Sequence, residues 1–420
     1  MKTFIFGAGA SVPFFNPRLS TNYLTEKVCN RDEWVRVIDK YKSLKGENIC
    51  IVDVDTIMAI IDTIKSIKKD AHFEQIAEII DKISSYGFDG VPDHNMQSLT
   101  IAVMNSGFCP QNKRPFGPEW TDVPFLFREI IAEAILDLQN SHKGENYDEL
   151  LMLQQQMIHR VCEIDENVSV MSLNYDDCVI DSLFGLGFEK GFSLVDERYL
   201  RQIDIKKFMD AKKVVYFPHG QLKFQFADND NVTFWGDSNL ANDERWEGLR
   251  SATVGSTLTV LNGKYAYNYN TFISTGQTKD DGLNHLPYAI YYQRLAMDLA
   301  KSDTIYVIGY SFGDEHVNRL LRSFLKLNEN NKIIIVDYYT DQVFNTHENR
   351  DPNNIITKIY QYLGAEWHVM VSETTGLEPF NPTEVERINE LGYGELCSQV
   401  VFYKKGYADF LHEFADVLSL

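Results

Sequence analysis

Five short runs of β-branched and aromatic residues, each passing into glycine or polar residues, limit the fold of this chain more than any other feature. The runs lie at 3–6, 167–176, 212–220, 302–314 and 331–339. Each run predicts a buried strand, and helical stretches such as 315–327 lie between or after them. This alternation predicts an α/β fold whose parallel sheet is covered by helices on both faces. Ligands of such sheets bind beyond the carboxyl ends of the strands.

Residues 20–160 show helical rather than strand periodicity. In 54–68 the apolar residues recur at positions 54, 57, 58, 61 and 64, which is the spacing of one helix face. The same kind of pattern predicts helices at 73–83, 124–138 and 147–162. We therefore expect a large helical insertion after the first strand.

The predicted organisation has three parts. An α/β core comprises 1–30 and 160–345, the helical insertion comprises 31–159, and a C-terminal extension at 346–420 packs on the core. Within the core, 225–285 has a polar and aromatic texture that favours loops and short strands. The extension is expected to hold a strand at 366–371 and a helix at 408–418.

Composition excludes some classes of protein. The net charge of −20 over 420 residues argues against direct nucleic-acid binding, which needs a basic surface. The six cysteines show no CxxC spacing, so a four-cysteine zinc site is not expected. We find neither a signal peptide nor an apolar stretch of about 20 residues that could span a membrane. A soluble, cytoplasmic protein is the expectation.

Two glycine-containing turns follow predicted strands. Gly7-Ala8-Gly9-Ala10-Ser11 follows the first strand, where small residues let backbone N–H groups approach a phosphate. The alternative is a tight turn without a ligand, since Val12 stands where a full GxGxxG motif has its third glycine. In "GYSFGDEH" (309–316), Gly309 and Ser311 form a second turn of this kind. Asp314 could simply cap the helix that follows.

Two further strand ends carry groups suited to catalysis. Asn174 and Asp176 follow the strand at 167–173, where an amide could hold a water and a carboxylate could accept from a hydroxyl. The alternative is that Asp176 or Asp177 caps the next helix. His219, between Pro218 and Gly220, could act as a general base, or it could be structural.

These four motifs, in this order, resemble the sirtuin-like NAD-binding fold. The sirtuin pattern is a GAG-x-S turn, a T-Q-N-x-D segment, an HG pair and a later G-x-S turn. Here Asn174 and Asp176 match, while Ser172 and Leu173 replace Thr and Gln. "GYSFGDEHVN" is typical of the bacterial sirtuin-like proteins of anti-phage defence. The resemblance implies a Rossmann-like parallel sheet of sirtuin type, with the helical insertion left unexplained.

The chain departs from protein deacylases of that family at two places. Deacylases carry a zinc module with four cysteines between the HG and G-x-S motifs, and residues 221–308 contain no cysteine. "VPFFNPRLST" (12–21) replaces the acidic, aromatic and basic stretch that follows the first turn in deacylases. Deacylation is therefore not expected, and no metal is expected.

The resemblance implies roles for individual residues, with NAD as the substrate. Asn174 would position the attacking water, Asp176 would hold the ribose and Asn174, and His219 would contact the ribose hydroxyls and accept a proton. The residues implied in binding the pyrophosphate are Gly7, Ala8, Gly9 and Ser11 on one side and Gly309 and Ser311 on the other. Asp337 would accept from the adenosine ribose, or it is a solvated strand end.

By this resemblance the leading expectation is an NAD hydrolase that releases nicotinamide and ADP-ribose and depletes NAD during phage infection. The alternatives are a catalytically silent subunit that binds NAD or ADP-ribose, and an ADP-ribosyl transferase. Family analogy also implies a homo-oligomer, or assembly with a separately encoded partner such as a HerA-type ATPase.

Overall fold

The computed structural model describes most of the α/β core and of the helical region. The described residues are 1–45, 51–89, 120, 122–194, 200–222, 224–227, 231–235, 258–261, 264–267, 287–339, 363, 370–372, 376–378 and 382–417.

The described strands form one large sheet and three small ones. The strands, in chain order, are β1 (Lys2–Phe6), β2 (Val168–Ser172), β3 (Phe192–Leu194), β4 (Leu200–Ile203), β5 (Lys213–Tyr216), β6 (Phe224–Ala227), β7 (Asn231–Trp235), β8 (Leu258–Leu261), β9 (Lys264–Tyr267), β10 (Thr304–Ile308), β11 (Lys332–Val336), β12 (Met370–Ser372), β13 (Gly376–Glu378), β14 (Tyr393–Cys397) and β15 (Val400–Tyr403). All five runs predicted as strands are confirmed, and the described parts of 225–285 are short strands, as predicted.

The large sheet has seven strands within the described ranges, in the order β14-β15-β11-β10-β1-β2-β5. Its pairs are parallel except for β14 with β15, which is antiparallel. From β1 the chain continues to β2 and β5 on one side, and then returns to β10 and β11 on the other side. The strand order therefore reverses between β1 and β10, and a ligand crevice is expected at the carboxyl ends of these two strands.

The described helices follow the predicted periodicity closely. They are α1 (Ala8–Ser11), α2 (Thr21–Val28), α3 (Arg31–Lys45), α4 (Val54–Ile67), α5 (Phe73–Asp89), α6 (Val123–Ser141), α7 (Tyr147–Ile164), α8 (Cys178–Ser182), α9 (Ile205–Asp210), α10 (Tyr288–Lys301), α11 (Glu315–Leu327), α12 (Pro382–Leu391) and α13 (Tyr407–Val417). The four helices predicted within 54–162 are confirmed as α4 to α7.

The central strands are buried on both faces, as a parallel sheet with helices on each side requires. Phe4, Ile5 and Phe6 of β1 are fully buried. The terminal helix α13 covers part of one face, where Tyr407 meets Phe6 with ring centroids 6.1 Å apart. This arrangement confirms an α/β fold of Rossmann-like type.

The helical region has its own buried ion pair as well as apolar packing. Arg128 on α6 donates to both carboxylate oxygens of Asp81 on α5, at 2.9 and 2.8 Å. Trp34 on α3 is fully buried and lies 6.1 Å from the ring of Phe127 on α6. The paired charges fix α5 against α6, because separating them would leave a charge buried without a partner.

The C-terminal residues contribute more to the sheet than predicted. β15 joins the large sheet beside β11 and β14 forms its edge, whereas the sequence patterns predicted a strand only at 366–371. Of that stretch, 370 and 371 lie in β12, which pairs with β13 outside the large sheet, and 366–369 lie outside the described residues. The predicted terminal helix is confirmed as α13. Across the described helices, none is both long enough and apolar enough to cross a membrane.

Candidate active site

Hydrogen bonds join four loops at the carboxyl ends of β1, β2, β5 and β10. The loop after β2 reaches the loop after β1 through Asn174, which donates to the Gly7 carbonyl at 2.8 Å. The loop after β1 reaches that of β10 through Gly9 N–H, which donates to the Gly309 carbonyl at 2.8 Å. The loops after β5 and β10 are joined by His219 and Asp314, 2.8 Å apart. All four predicted motifs therefore meet in one cluster.

Asn174 is held in one orientation by acceptors on the first loop. Its Nδ2 donates to the Gly7 carbonyl and to Ser11 Oγ, each at 2.8 Å. Because a carbonyl can only accept, the Nδ2 side of the amide must face Gly7. No hydrogen bond among the described residues uses Asn174 Oδ1, and Asn174 lines a cavity. The side chain is thus fixed with an acceptor oxygen available to a ligand or a water.

Asp176 is buried and bonded on both carboxylate oxygens. Ser11 Oγ donates to Oδ2 at 2.5 Å and the Cys178 N–H donates to Oδ1 at 3.0 Å. Asp177 is the N-cap residue of α8 but makes no capping bond with its side chain, whereas the bond from Cys178 to Asp176 pairs the first N–H group of that helix. The bond from Ser11 links Asp176 to Asn174, because Ser11 also accepts from Asn174. Burial raises the pKa of the Asp176 carboxyl, and the hydrogen bonds from Ser11 and Cys178 offset only part of that rise.

The buried charge of Asp176 predicts a pH-dependent stability difference. A carboxyl whose pKa is raised by folding stabilises the fold below its unfolded pKa of about 3.9, and that stabilisation is lost as pH rises through the folded pKa. We therefore expect Asp176→Asn to melt higher than wild type at neutral pH, with the difference vanishing near pH 3. Melting temperatures measured across this pH range test the prediction.

Asp53→Asn is a control variant whose melting temperature is expected to change in the opposite direction. Asp53 caps α4, and its hydrogen bonds from Thr56 lower the pKa of the carboxyl. Its contribution is present above the unfolded pKa and lost as pH falls, so this variant should melt slightly below wild type at neutral pH. If Asp176→Asn behaved like Asp53→Asn, the account of a destabilising buried charge would be wrong.

The two glycine turns pack backbone against backbone. A Cβ atom on Gly309 would lie 2.2 Å from the Ala10 nitrogen, and a Cβ on Gly7 would lie 2.6 Å from the Gly309 carbonyl oxygen. Gly309 also has a φ of +60°, in the region that favours glycine. Phe312, which is buried, has a φ of 56°. A non-glycine residue held in this region marks local backbone strain, and such strain often accompanies functional sites.

This packing changes what the first turn can offer to a phosphate. The N–H of Gly7 donates to Ile308, that of Gly9 to Gly309, and that of Ala10 to the Gly7 carbonyl. Ala8 is exposed at the start of α1, and no backbone acceptor for its N–H lies among the described residues. The assignment of Gly7, Ala8, Gly9 and Ser11 to a pyrophosphate stays a prediction, with Ala8 N–H the group best placed to donate.

Gly309→Ala is expected to destabilise the fold by more than about 3 kcal/mol, since it combines a backbone overlap with a disfavoured φ. Gly313→Ala, in the same loop, is the matched control, because a Cβ there meets only Ser311 Oγ at 3.7 Å. Chemical denaturation of both variants tests this. Equal stability of the two would contradict the close approach of the turns.

His219 and Asp314 form a buried pair that the sequence did not predict. His219 Nε2 lies 2.8 Å from Asp314 Oδ2, and Tyr292 donates to the same oxygen at 3.3 Å. The other oxygen, Oδ1, accepts from the His316 and Val317 N–H groups and caps α11, which confirms the predicted capping role. An ionised Asp314 requires the proton on Nε2, which leaves Nδ1 as the ring nitrogen that can accept a proton.

A cavity of about 70 Å³ adjoins Asn174 and Asp176. Its polar lining side chains are Ser11, Ser20, Thr21, Glu74, Asn174, Tyr175 and Asp176. Its other lining residues are Ala8, Leu19, Leu24, Phe73, Ile135 and Leu173. Phe73, Glu74 and Ile135 come from α5 and α6, so the helical region forms part of the wall. The sequence patterns gave no sign of this contribution.

Two predicted residues lie apart from these contacts. Ser311 is exposed on the loop after β10, and no hydrogen bond among the described residues involves its side chain. Asp337 is half-buried after β11, where its Oδ1 accepts from the Tyr338 N–H. The structure brings neither into the cluster around Asn174, and their roles toward a nucleotide stay predictions.

Neither a protein-family profile nor a curated protein matches this chain. Within the described ranges, no group of three or more histidine, cysteine, aspartate or glutamate side chains is placed to hold a metal ion.

Proposed function

We propose that the chain is an NAD hydrolase that cleaves the bond between nicotinamide and ribose. The observation that carries the proposal is the fixed Asn174 amide, which presents Oδ1 beside a cavity while Nδ2 is bonded to Gly7 and Ser11. A buried amide held this way suits the positioning of a water molecule. The arrangement at the switch between β1 and β10 suits a nucleotide.

The reaction breaks the C1–N bond of the nicotinamide ribose. The electron pair of that bond leaves with the ring nitrogen and neutralises the pyridinium, and the sugar becomes cation-like. A water molecule donates a hydrogen bond to Asn174 Oδ1, and the oxygen of this water then bonds to C1. The carboxylate of Asp176 accepts a hydrogen bond from Ser11. Its negative charge favours the positive charge that develops on the sugar.

His219 is proposed to take the proton that the water loses. Asp314 would hold the ring in the tautomer with Nδ1 free to accept, and it would stabilise the charged imidazolium once the proton has moved. The described cavity of about 70 Å³ is far smaller than the several hundred cubic ångströms of a typical cofactor pocket. It would hold one end of the dinucleotide, and the remainder would lie along the loops at the strand ends.

The test of the proposal is to incubate the purified chain with NAD labelled on adenine and to separate the products by chromatography. Hydrolysis predicts free nicotinamide and labelled ADP-ribose in equal amounts. Label that precipitates with protein would indicate the ADP-ribosyl transferase instead. Bound NAD that stays intact would indicate the silent binding subunit.

A role in anti-phage defence by NAD depletion, and assembly as a homo-oligomer or with a HerA-type ATPase, are also proposals that rest on the resemblance. The defence role is tested by comparing NAD levels in phage-infected cells that express wild type or Asn174→Ala. Depletion with wild type alone would support the defence role.

A further inference from the structure

The hydroxyl of Tyr175 is buried and has no hydrogen-bond partner in the part of the chain that the structure describes. Tyr175 follows Asn174 at the end of β2, is only 7% exposed, and its OH meets no donor or acceptor among the described residues. Leaving a buried hydroxyl unpaired typically costs about 1–3 kcal/mol, so such a group calls for an explanation. Tyr175 also lines the cavity beside Asn174, where a ligand could supply the missing partner.

The electrostatics of the cavity favour a positively charged ligand. Among the described lining residues, Glu74 and Asp176 are acids and none is basic. Glu74 and Tyr175 line the same cavity, and burial, followed by the charge of Glu74, raises the pKa of Tyr175. Arg128 also acts on Tyr175, but it does not line the cavity and its charge is paired with Asp81.

The apolar part of the lining suits a flat ring. Four apolar residues contribute to the cavity walls, namely Leu24, Phe73, Ile135 and Leu173. Polar side chains such as those of Asn174 and Tyr175 also line the cavity. Apolar walls with a few convergent polar groups are typical of sites that orient a small ring. Glu74 and Phe73 begin α5 and Ile135 lies on α6, so these contacts come from the helical region and not from the sheet.

We propose that the Tyr175 hydroxyl and the Glu74 carboxylate recognise a positively charged ring that carries hydrogen-bond donors. Given the proposed function, on which this inference rests, the ring is the pyridinium of NAD with its carboxamide. Tyr175 pairs with the carboxamide and Glu74 favours the positive charge. The helical region therefore determines which redox form of the nucleotide the site accepts, and it is part of the binding site.

The test uses an NAD analogue with a methylene group in place of the ring oxygen of the nicotinamide ribose. Without that oxygen the cation-like sugar is not stabilised, so the analogue binds without being cleaved. Its oxidised form carries the pyridinium charge and its reduced form does not. Calorimetric titration of the full chain with each form gives an affinity ratio that reports charge recognition.

Wild type is expected to bind the oxidised form on the order of tenfold more tightly than the reduced form. The attraction between the Glu74 carboxylate and the pyridinium, at an intermediate dielectric constant, is the source of this difference. Glu74→Gln should bring the ratio close to one. Glu78→Gln is the matched control, since Glu78 lies one turn further along α5 and does not line the cavity, and it should keep the wild-type ratio.

Tyr175→Phe should weaken binding of the oxidised form by about three- to tenfold, the loss of one hydrogen bond to the ligand. Because the hydroxyl has no partner among the described residues, we expect the melting temperature without ligand to stay the same or rise. A lower melting temperature with unchanged binding would show that the hydroxyl is bonded within the protein, and would overturn its proposed role.

The outcomes separate this inference from the proposed function. If wild type cleaves NAD but Glu74→Gln leaves the affinity ratio unchanged, the recognition by Glu74 is wrong and the hydrolase proposal stands. If wild type binds neither form of the analogue and does not cleave NAD, both proposals fail.

Discussion

Asn174→Ala is expected to lower the rate of nicotinamide release from NAD by about 10²–10³-fold, the loss typical of removing one polar group that acts in the transition state. Asn174 Nδ2 is fixed by Gly7 and Ser11, so its Oδ1 needs little reorganisation to hold a water. Alanine removes that acceptor and leaves the attacking water without orientation. Initial rates at saturating NAD measure the effect.

The same substitution also removes two hydrogen bonds, so stability must be measured with activity. Leaving the Gly7 carbonyl and Ser11 Oγ without Nδ2 should destabilise the fold by about 1–3 kcal/mol. Asn167→Ala is the matched control, because Asn167 directly precedes the other end of the same strand. It should keep the wild-type rate. A folded Asn174→Ala variant that retains near-wild-type turnover would contradict the site assignment.

His219→Ala is expected to lower turnover by about 10²–10⁴-fold, the range for a general base. Asp314→Asn should lower it by a smaller factor, on the order of 10–10²-fold, because Asp314 acts by orienting the ring. The pair is best examined as a double-mutant cycle. If Asp314 acts through His219, the double variant should be no slower than His219→Ala alone.

Asp314→Asn separates the two roles of this carboxylate. Asparagine caps helices about as well as aspartate, so α11 should keep its N-terminal hydrogen bonds while His219 loses its ionised partner. Asp53→Asn makes the same change at the cap of α4 and should not alter turnover. Additive effects of His219→Ala and Asp314→Asn would show that the two residues act independently, and would contradict the dyad.

Much of the fold could be predicted because its strands are continuous apolar runs. β1, β2, β5, β10 and β11 each follow from a β-branched or aromatic run that ends in polar residues. A parallel strand that is buried on both faces needs such a run. The helices of the insertion were equally clear, because apolar residues at positions such as 57, 61 and 64 line one buried face of α4.

The edge of the sheet could not be predicted by the same reasoning. β15 is only four residues long, and β14 reads "YGELC", with no alternation strong enough to indicate a strand. β15 pairs with β11, and among the described strands β14 pairs only with β15. That pairing depends on tertiary contacts, which a local pattern does not contain.

The site was predicted as four motifs, but not as a set of contacts. The capping role of Asp314 was visible locally, whereas its bond to His219 spans 95 residues of sequence and has no local signal. The place of Glu74 beside Tyr175 in the cavity lining has no local signal either, since Glu74 reads as an ordinary acid in the first turn of α5. One hint of the pair between His219 and Asp314 was available in the sequence. Each of the two residues follows a strand of the same predicted sheet.

The central claim is that this chain hydrolyses NAD at Asn174. It is tested most directly by measuring nicotinamide and ADP-ribose release from NAD by the purified wild type, Asn174→Ala and Asn167→Ala in parallel. The account predicts equal amounts of both products from wild type and Asn167→Ala, and a rate about 10²–10³-fold lower from Asn174→Ala. NAD that binds wild type and Asn174→Ala equally and stays intact with both would contradict it.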